Sequence, residues 1–97
     1  MSKLEEPSQG LVTFDDTLDI TMVSSYFEQF SQMLNQYKAI ILDAENVERI
    51  DGAGLQLLVA FIQAAERLQI SVQWQGYSET VKKSAKISGV AGSLGIQ

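Results

Sequence analysis

The chain has 97 residues, of which 45% are hydrophobic and 20% charged, and these proportions are typical of one globular domain rather than a disordered chain. It contains no cysteine and no histidine, which excludes disulfides and thiol chemistry and argues against a transition-metal site. The net charge is −5, with the first 51 residues at −7 and the rest at +2, and this acidic half argues against nucleic acid as a partner.

The N-terminal part predicts a loose arm followed by short strands. Residues 1–9 are polar and carry the only proline, Pro7, so we expect a flexible arm. No signal-peptide pattern and no apolar run long enough to span a bilayer is present, and we expect a cytoplasmic protein without direct membrane insertion. Residues 10–97 predict a single domain that begins with strand character at 11–14 and again near Leu18.

A long amphipathic helix and a buried strand are predicted next. Apolar residues recur at three- and four-residue intervals from Val23 to Tyr37, which indicates a helix with one buried face. Asp19 or Thr21 is placed to cap this helix. The unbroken apolar run at 40–42 predicts a central strand that is buried on both faces, as in a mixed or parallel sheet.

The stretch 50–58, with the sequence I-D-G-A-G-L-Q-L-L, is the most informative part of the chain. Asp51 is a good cap for a helix that we expect over 53–68. Small residues beside an acid at a helix start leave backbone N–H groups near the surface, which suits an anion or a closely docked partner. Apolar residues cover about 200° of this helix, so either it packs on two sides within the domain or it meets a partner.

The C-terminal third predicts one more strand and one more helix. Residues 71–75 alternate between polar and apolar, Ser78 is a good N-cap, and Gly89 fits a helix end. The clustered bases Lys82, Lys83 and Lys86 are interpreted as the solvated face of that helix. Strands that alternate with helices in this way predict an α/β domain, with a mixed sheet of about four strands and covering helices.

Few residues suggest catalysis. Asp43 and Asp51 both follow predicted strands, and two such carboxylates are able to hold a divalent cation or to act as acid and base. No nucleophile elbow, phosphate-binding loop or dinucleotide fingerprint accompanies them. We therefore expect no enzymatic activity, no cofactor and no metal, and keep an enzyme or small-ligand binder that uses these two acids as an alternative.

Residues 40–61 resemble the centre of STAS domains, a family of bacterial anti-sigma-factor antagonists and of sulfate-transporter tails. The family pattern is an apolar strand, an Asp, a polar loop, an apolar residue with Asp, two small residues, Gly-Leu and an apolar helix. Asp43, Asp51, Gly54 and Leu55 occupy the matching positions, and the resemblance extends over about residues 11–94. It implies a small α/β domain of the STAS type.

The resemblance also marks a departure from the branch that is switched by phosphorylation. In that branch a serine or threonine follows the loop acid, and a partner kinase phosphorylates it at the helix start. Gly52 and Ala53 stand there in this chain, and neither has a hydroxyl group. We therefore expect no phosphoacceptor at this site, and a docking state that is permanently unphosphorylated.

The function that the resemblance implies is a regulatory protein–protein interaction module, in signal transduction and transcription regulation of a bacterium. Docking is expected through the 48–54 loop and the start of the 53–68 helix, and the expected contact residues are Glu48, Asp51, Gly52, Ala53, Gly54, Gln56, Gln63 and Arg67. A kinase-like anti-sigma factor is the first partner expected. The alternatives are the ATPase of a lipid-transport ABC complex and a chemotaxis signalling protein, and the oligomeric state is left open.

Overall fold

The computed structural model describes residues 9–97. Strands and helices alternate along the chain, and a short 3-10 helix at Ile20–Met22 precedes the first α-helix. The elements are β1 (Gln9–Thr13), β2 (Thr17–Leu18), α1 (Val23–Gln36), β3 (Ala39–Ala44), β4 (Arg49–Ile50), α2 (Gly52–Arg67), β5 (Ser71–Tyr77), α3 (Glu79–Ile87) and α4 (Ala91–Leu94). The predicted α/β class is confirmed.

The predicted flexible arm over 1–9 lies outside the described residues except for its last residue. That residue, Gln9, begins β1 and pairs with Ala39 of β3.

The strands form two parallel sheets. One has three strands in the order β1-β3-β5, and the other pairs β2 with β4. Every pairing among residues 9–97 is parallel, where the sequence predicted one mixed sheet of about four strands. The parallel arrangement follows because α1 and α2 carry the chain back to the start of the sheet between successive strands.

The core lies on one face of the three-stranded sheet. Val12 and Leu42 point into it and are fully buried, together with Phe14 just beyond β1. On the opposite face Leu11 is 54% exposed and Ile41 is half-buried, so the prediction that β3 is buried on both faces was wrong. The inward and outward alternation is the ordinary strand period of two.

The capping predictions have mixed outcomes. The side chain of Ser78 accepts from the N–H of Val81 at 3.2 Å and caps α3, as predicted. Gly89 has a φ of +78° just after α3 and ends that helix, also as predicted. Asp19 caps the 3-10 helix instead, and Met22, the N-cap residue of α1, makes no side-chain cap bond, so the predicted cap of α1 was wrong.

The wide apolar arc of α2 is buried within the domain. The rings of Phe61 on α2 and Phe30 on α1 stack at a centroid distance of 4.1 Å, and other α2 residues face the sheet and α4. Seven residues of α2 are buried, namely Gly54, Leu55, Leu57, Leu58, Phe61, Ile62 and Ala65. Packing on two sides therefore accounts for most of the arc. No helix within residues 9–97 is both long and apolar enough to cross a bilayer.

Candidate functional site

The loop before α2 is held firmly in place by the segment that follows β1. The backbone N–H groups of Glu48 and Arg49 donate to the carbonyl of Asp16 at 2.8 and 3.0 Å. Leu18 then pairs with Ile50 in the short second sheet. These backbone bonds hold the loop in place. The side chain of Glu48 is exposed to solvent.

Asp51 joins two elements through its carboxylate. One oxygen, Oδ1, accepts from the N–H of Gly54 at 2.9 Å and caps α2, which confirms the predicted cap. The other, Oδ2, accepts from the N–H of Ile20 at 3.1 Å, at the start of the 3-10 helix. The negative charge also lies at the positive end of the α2 dipole. The start of α2 is thus pinned beside the 3-10 helix.

The two glycines of the motif occupy different environments. Gly52 is exposed, and nothing lies within 4 Å of the place that a Cβ atom would take. Gly54 is buried against the carbonyl of Leu18, where a Cβ atom would overlap that oxygen. The expectation that Gly54 is a surface contact is therefore corrected: it supports the exposed helix start from beneath. Ala53 is half-buried between them.

The polar side of α2 continues the surface that begins at Gly52. Gln56, Gln63 and Arg67 are all exposed, and about 100° of rotation per residue places them on one strip with Gly52. We define the docking surface as the exposed residues of this strip and loop, namely Glu48, Asp51, Gly52, Gln56, Gln63 and Arg67. The buried C-terminal residues Leu94 and Ile96 do not cover this surface, since all six of its residues are exposed.

Two apolar residues beside the docking surface escaped the sequence reasoning. Ile20 is 65% exposed next to the Asp51 carboxylate, and Phe27 on α1 is 61% exposed. The helical pattern had assigned Phe27 to the core. The available signal was its position at the edge of the apolar stripe of α1, where Val23 and Leu34 are also only half-buried.

Acidic groups dominate the loops around this surface. Asp15 and Asp16 follow β1, Asp19 follows β2, and the charge of Arg49 acts on Asp19. A hydrogen bond from the Thr21 hydroxyl lowers the pKa of the Asp19 carboxyl, and the Thr21 backbone N–H and the charge of Arg49 act in the same direction.

The carboxylates of Asp43 and Asp51 accept hydrogen bonds from different groups and share no donor. The Asp43 carboxylate accepts from the N–H of Glu45 and from the side-chain amide of Gln75, both at 3.1 Å. Asp51 instead binds the start of α2 and Ile20. Within the described part of the chain, no group of three or more acidic residues is placed to hold a metal ion.

Comparisons with known proteins identify relatives of the fold. A family model described as "Mlab, STAS domain" matches residues 3–96. The anti-sigma factor antagonist SpoIIAA, in its unphosphorylated form, is similar with a TM-score of 0.74 and 19% identity, over 89% of this chain and 77% of that chain. A sulfate transporter family protein from Wolinella succinogenes is similar with a TM-score of 0.77 and 16% identity, over 92% and 73%. No curated protein matches by sequence.

Proposed function

The chain belongs to the STAS domain family, as its sequence predicted, and from that premise we propose that it is a non-enzymatic module that docks a regulatory protein partner. The observation that carries the proposal is the open start of α2, where Gly52 is exposed beside the fixed carboxylate of Asp51. Because Gly52 has no side chain, the backbone of a partner is able to approach the helix start closely. Because hydrogen bonds already hold this helix start in place, little conformational entropy is lost on binding.

The docking surface combines charge and small residues in a way that suits a protein rather than a small molecule. Glu48 and Asp51 give it negative charge at one end, and Arg67 gives it positive charge at the other. Gln56 and Gln63 supply amide donors and acceptors between them. Because its two ends carry opposite charges, the strip favours one orientation of a partner with complementary charges.

The likeness to SpoIIAA supports a partner of the anti-sigma-factor kind, because that protein is an anti-sigma factor antagonist. Under this proposal the chain acts in the cytoplasm of a bacterium, in signal transduction that controls transcription. Gly52 and Ala53 lack hydroxyl groups, so docking here is not switched by phosphate at the helix start. The surface is then constantly available to its partner.

A second candidate is a subunit of a membrane transporter. The likeness to a sulfate transporter family protein favours it, since that protein carries the same fold. In this reading the docking surface binds the ATPase of a lipid-transport ABC complex. A chemotaxis-associated signalling adaptor is the third candidate, and the test below distinguishes it from the other two.

Site-specific cross-linking tests the proposal, because the chain has no cysteine of its own. A Gln56→Cys variant carries a photoactivatable maleimide on the docking surface, and a Gln73→Cys variant carries it on the outer face of the sheet as the control. Each labelled variant is mixed with a purified candidate partner encoded beside the gene of this chain, which is a kinase-like anti-sigma factor, a chemotaxis protein or an ABC ATPase. Mass spectrometry identifies the linked partner.

We expect a cross-link from position 56 and none from position 73. A link to the anti-sigma factor supports the first candidate, and a link to the ABC ATPase supports the second. Equal linking from both positions, or from neither, contradicts the docking surface. Incubation of the native chain with ATP and the kinase-like partner is expected to leave residues 51–55 without phosphate, and phosphate there contradicts permanent docking.

A further inference from the structure

A shallow apolar groove runs between α1 and α2. Phe27, Phe30 and Leu34 line it from α1, and Leu57, Ala60 and Ala64 line it from α2. Its volume is about 70 Å³, well below the roughly 300–1,000 Å³ of small-molecule pockets. The groove therefore has room for individual side chains of a protein partner rather than for a metabolite.

The floor of the groove is made of closely packed aromatic rings. Phe30 and Phe61 stack at 4.1 Å beneath it, and Phe14 contacts Phe30 edge-on at 6.0 Å. All three rings are buried. The rim differs, since Phe27 exposes 61% of its surface and Ala60 is also exposed. A preformed floor with an apolar rim favours insertion of a side chain without rearrangement of the domain.

Negative charge surrounds the end of the groove where both helices begin. Glu28 is the only charged residue of α1, and it lies next to Phe27. Asp19 precedes the 3-10 helix that leads into α1, and Asp51 precedes α2. The backbone N–H of Ile20 donates to the carboxylate of Asp51. Lys38 and Arg67 lie at the opposite end, where both helices finish, and Arg49 is the base whose charge acts on Asp19.

We propose that this groove docks one amphipathic helix of a partner protein, with Lys or Arg residues at the end that faces Glu28 and Asp19. Its apolar side chains enter beside Phe27 and Ala60, in the helix-in-groove mode of recognition. The negative charge of these acids repels an anionic membrane surface and also a second copy of this acidic chain, so neither is the expected occupant. The inference extends the proposed function to a second surface, while depending on residues other than those of the docking surface.

Two labelled helical peptides test the proposal by fluorescence anisotropy with the full chain. Both carry leucines at helical spacing, and one has lysines at the end where the other has glutamates. We expect the lysine peptide to bind about tenfold or more tightly than the glutamate peptide, and to lose affinity as salt is raised. Equal affinity of the two peptides, or no binding of either, overturns the proposal.

Matched variants locate the site. Phe27→Asp is expected to weaken binding of the lysine peptide about tenfold or more, because an apolar anchor is lost. Ile87→Asp is the control, since Ile87 is 87% exposed on α3, away from the groove. Melting curves confirm that both variants fold. Unchanged affinity of Phe27→Asp contradicts the site, and a Glu28→Lys variant is expected to reduce the preference for the lysine peptide.

Other occupants give distinct results. Binding to phosphatidylglycerol vesicles, or self-association in the ultracentrifuge, that is lost in Phe27→Asp overturns the proposal in favour of a membrane or of a second copy. The proposed function is judged separately by the cross-link from position 56. If no cross-link forms from position 56 but the lysine peptide still binds selectively, the docking surface is contradicted and the groove proposal is supported.

Discussion

Gly54 lies directly against the backbone carbonyl of Leu18, where the first turn of α2 meets β2. A Cβ atom at this position would overlap an atom of the backbone, which cannot rotate away as a side chain can. Gly52, two residues earlier, borders open space instead. One glycine allows the helix to pack, and the other leaves its start bare.

This contrast predicts opposite effects of the same substitution. Gly54→Ala is expected to lower the free energy of unfolding by about 1–3 kcal/mol, because the methyl group overpacks the contact with Leu18. Gly52→Ala is the matched control and is expected to leave stability unchanged or to raise it by up to about 1 kcal/mol. Urea denaturation measures both. A Gly54→Ala variant as stable as the native chain contradicts the contact.

The bridging carboxylate of Asp51 predicts a second stability difference. Asp51→Ala removes the cap of α2 and the acceptor for Ile20, and we expect a loss of about 1–3 kcal/mol in the free energy of unfolding. Asp51→Asn keeps an oxygen for the cap and is expected to lose much less. Hydrogen exchange at the amides of Gly54 and Ile20 reports each bond. Equal losses for the two variants would show that charge, rather than capping, stabilises this end.

The Asp19 carboxyl predicts a pH dependence. Its pKa is lowered from the ordinary 3.8, chiefly by the Thr21 hydroxyl bond. A depressed pKa in the folded state means that the contribution is present above the ordinary value and is lost as the pH falls through the folded value. Thr21→Val removes the hydroxyl and is expected to raise the pKa toward the ordinary value.

Carboxyl chemical shifts followed by NMR through an acid titration measure this pKa directly. Arg49→Gln is the control, because its charge is a smaller cause than the Thr21 hydroxyl. A pKa that rises more in Arg49→Gln than in Thr21→Val would contradict the assigned order of causes.

The C-terminal segment is tied to β5 by a single side-chain bond. The indole N–H of Trp74 donates to the carbonyl of Leu94 at 2.8 Å. Trp74→Phe keeps an aromatic ring but loses the donor, and we expect the free energy of unfolding to fall by about 0.5–2 kcal/mol. Faster hydrogen exchange confined to α4 is the expected signature. An exchange pattern identical to that of the native chain would show that apolar packing of Leu94 and Ile96 holds the tail alone.

Much of the fold was predictable because the signals are local. Helical periodicity placed α1 and α2 within a residue or two of their observed bounds, since each pattern repeats inside one element. Ser78 and Asp51 were recognisable as caps because a cap bonds to a backbone N–H three residues away. The alternation of strands and helices was predicted from the residues alone, and the structure has it. The STAS resemblance added the family, which the family match confirmed.

The sequence by itself therefore determined the α/β class, the family, the caps of α2 and α3, and the absence of a hydroxyl group at positions 52 and 53. Only the tertiary structure decided that Gly54 is buried, that Phe27 is exposed and that Asp51 also bonds to Ile20, 31 residues away. Such relationships depend on how crossover helices bring distant segments together, and no periodicity within one element records that distance.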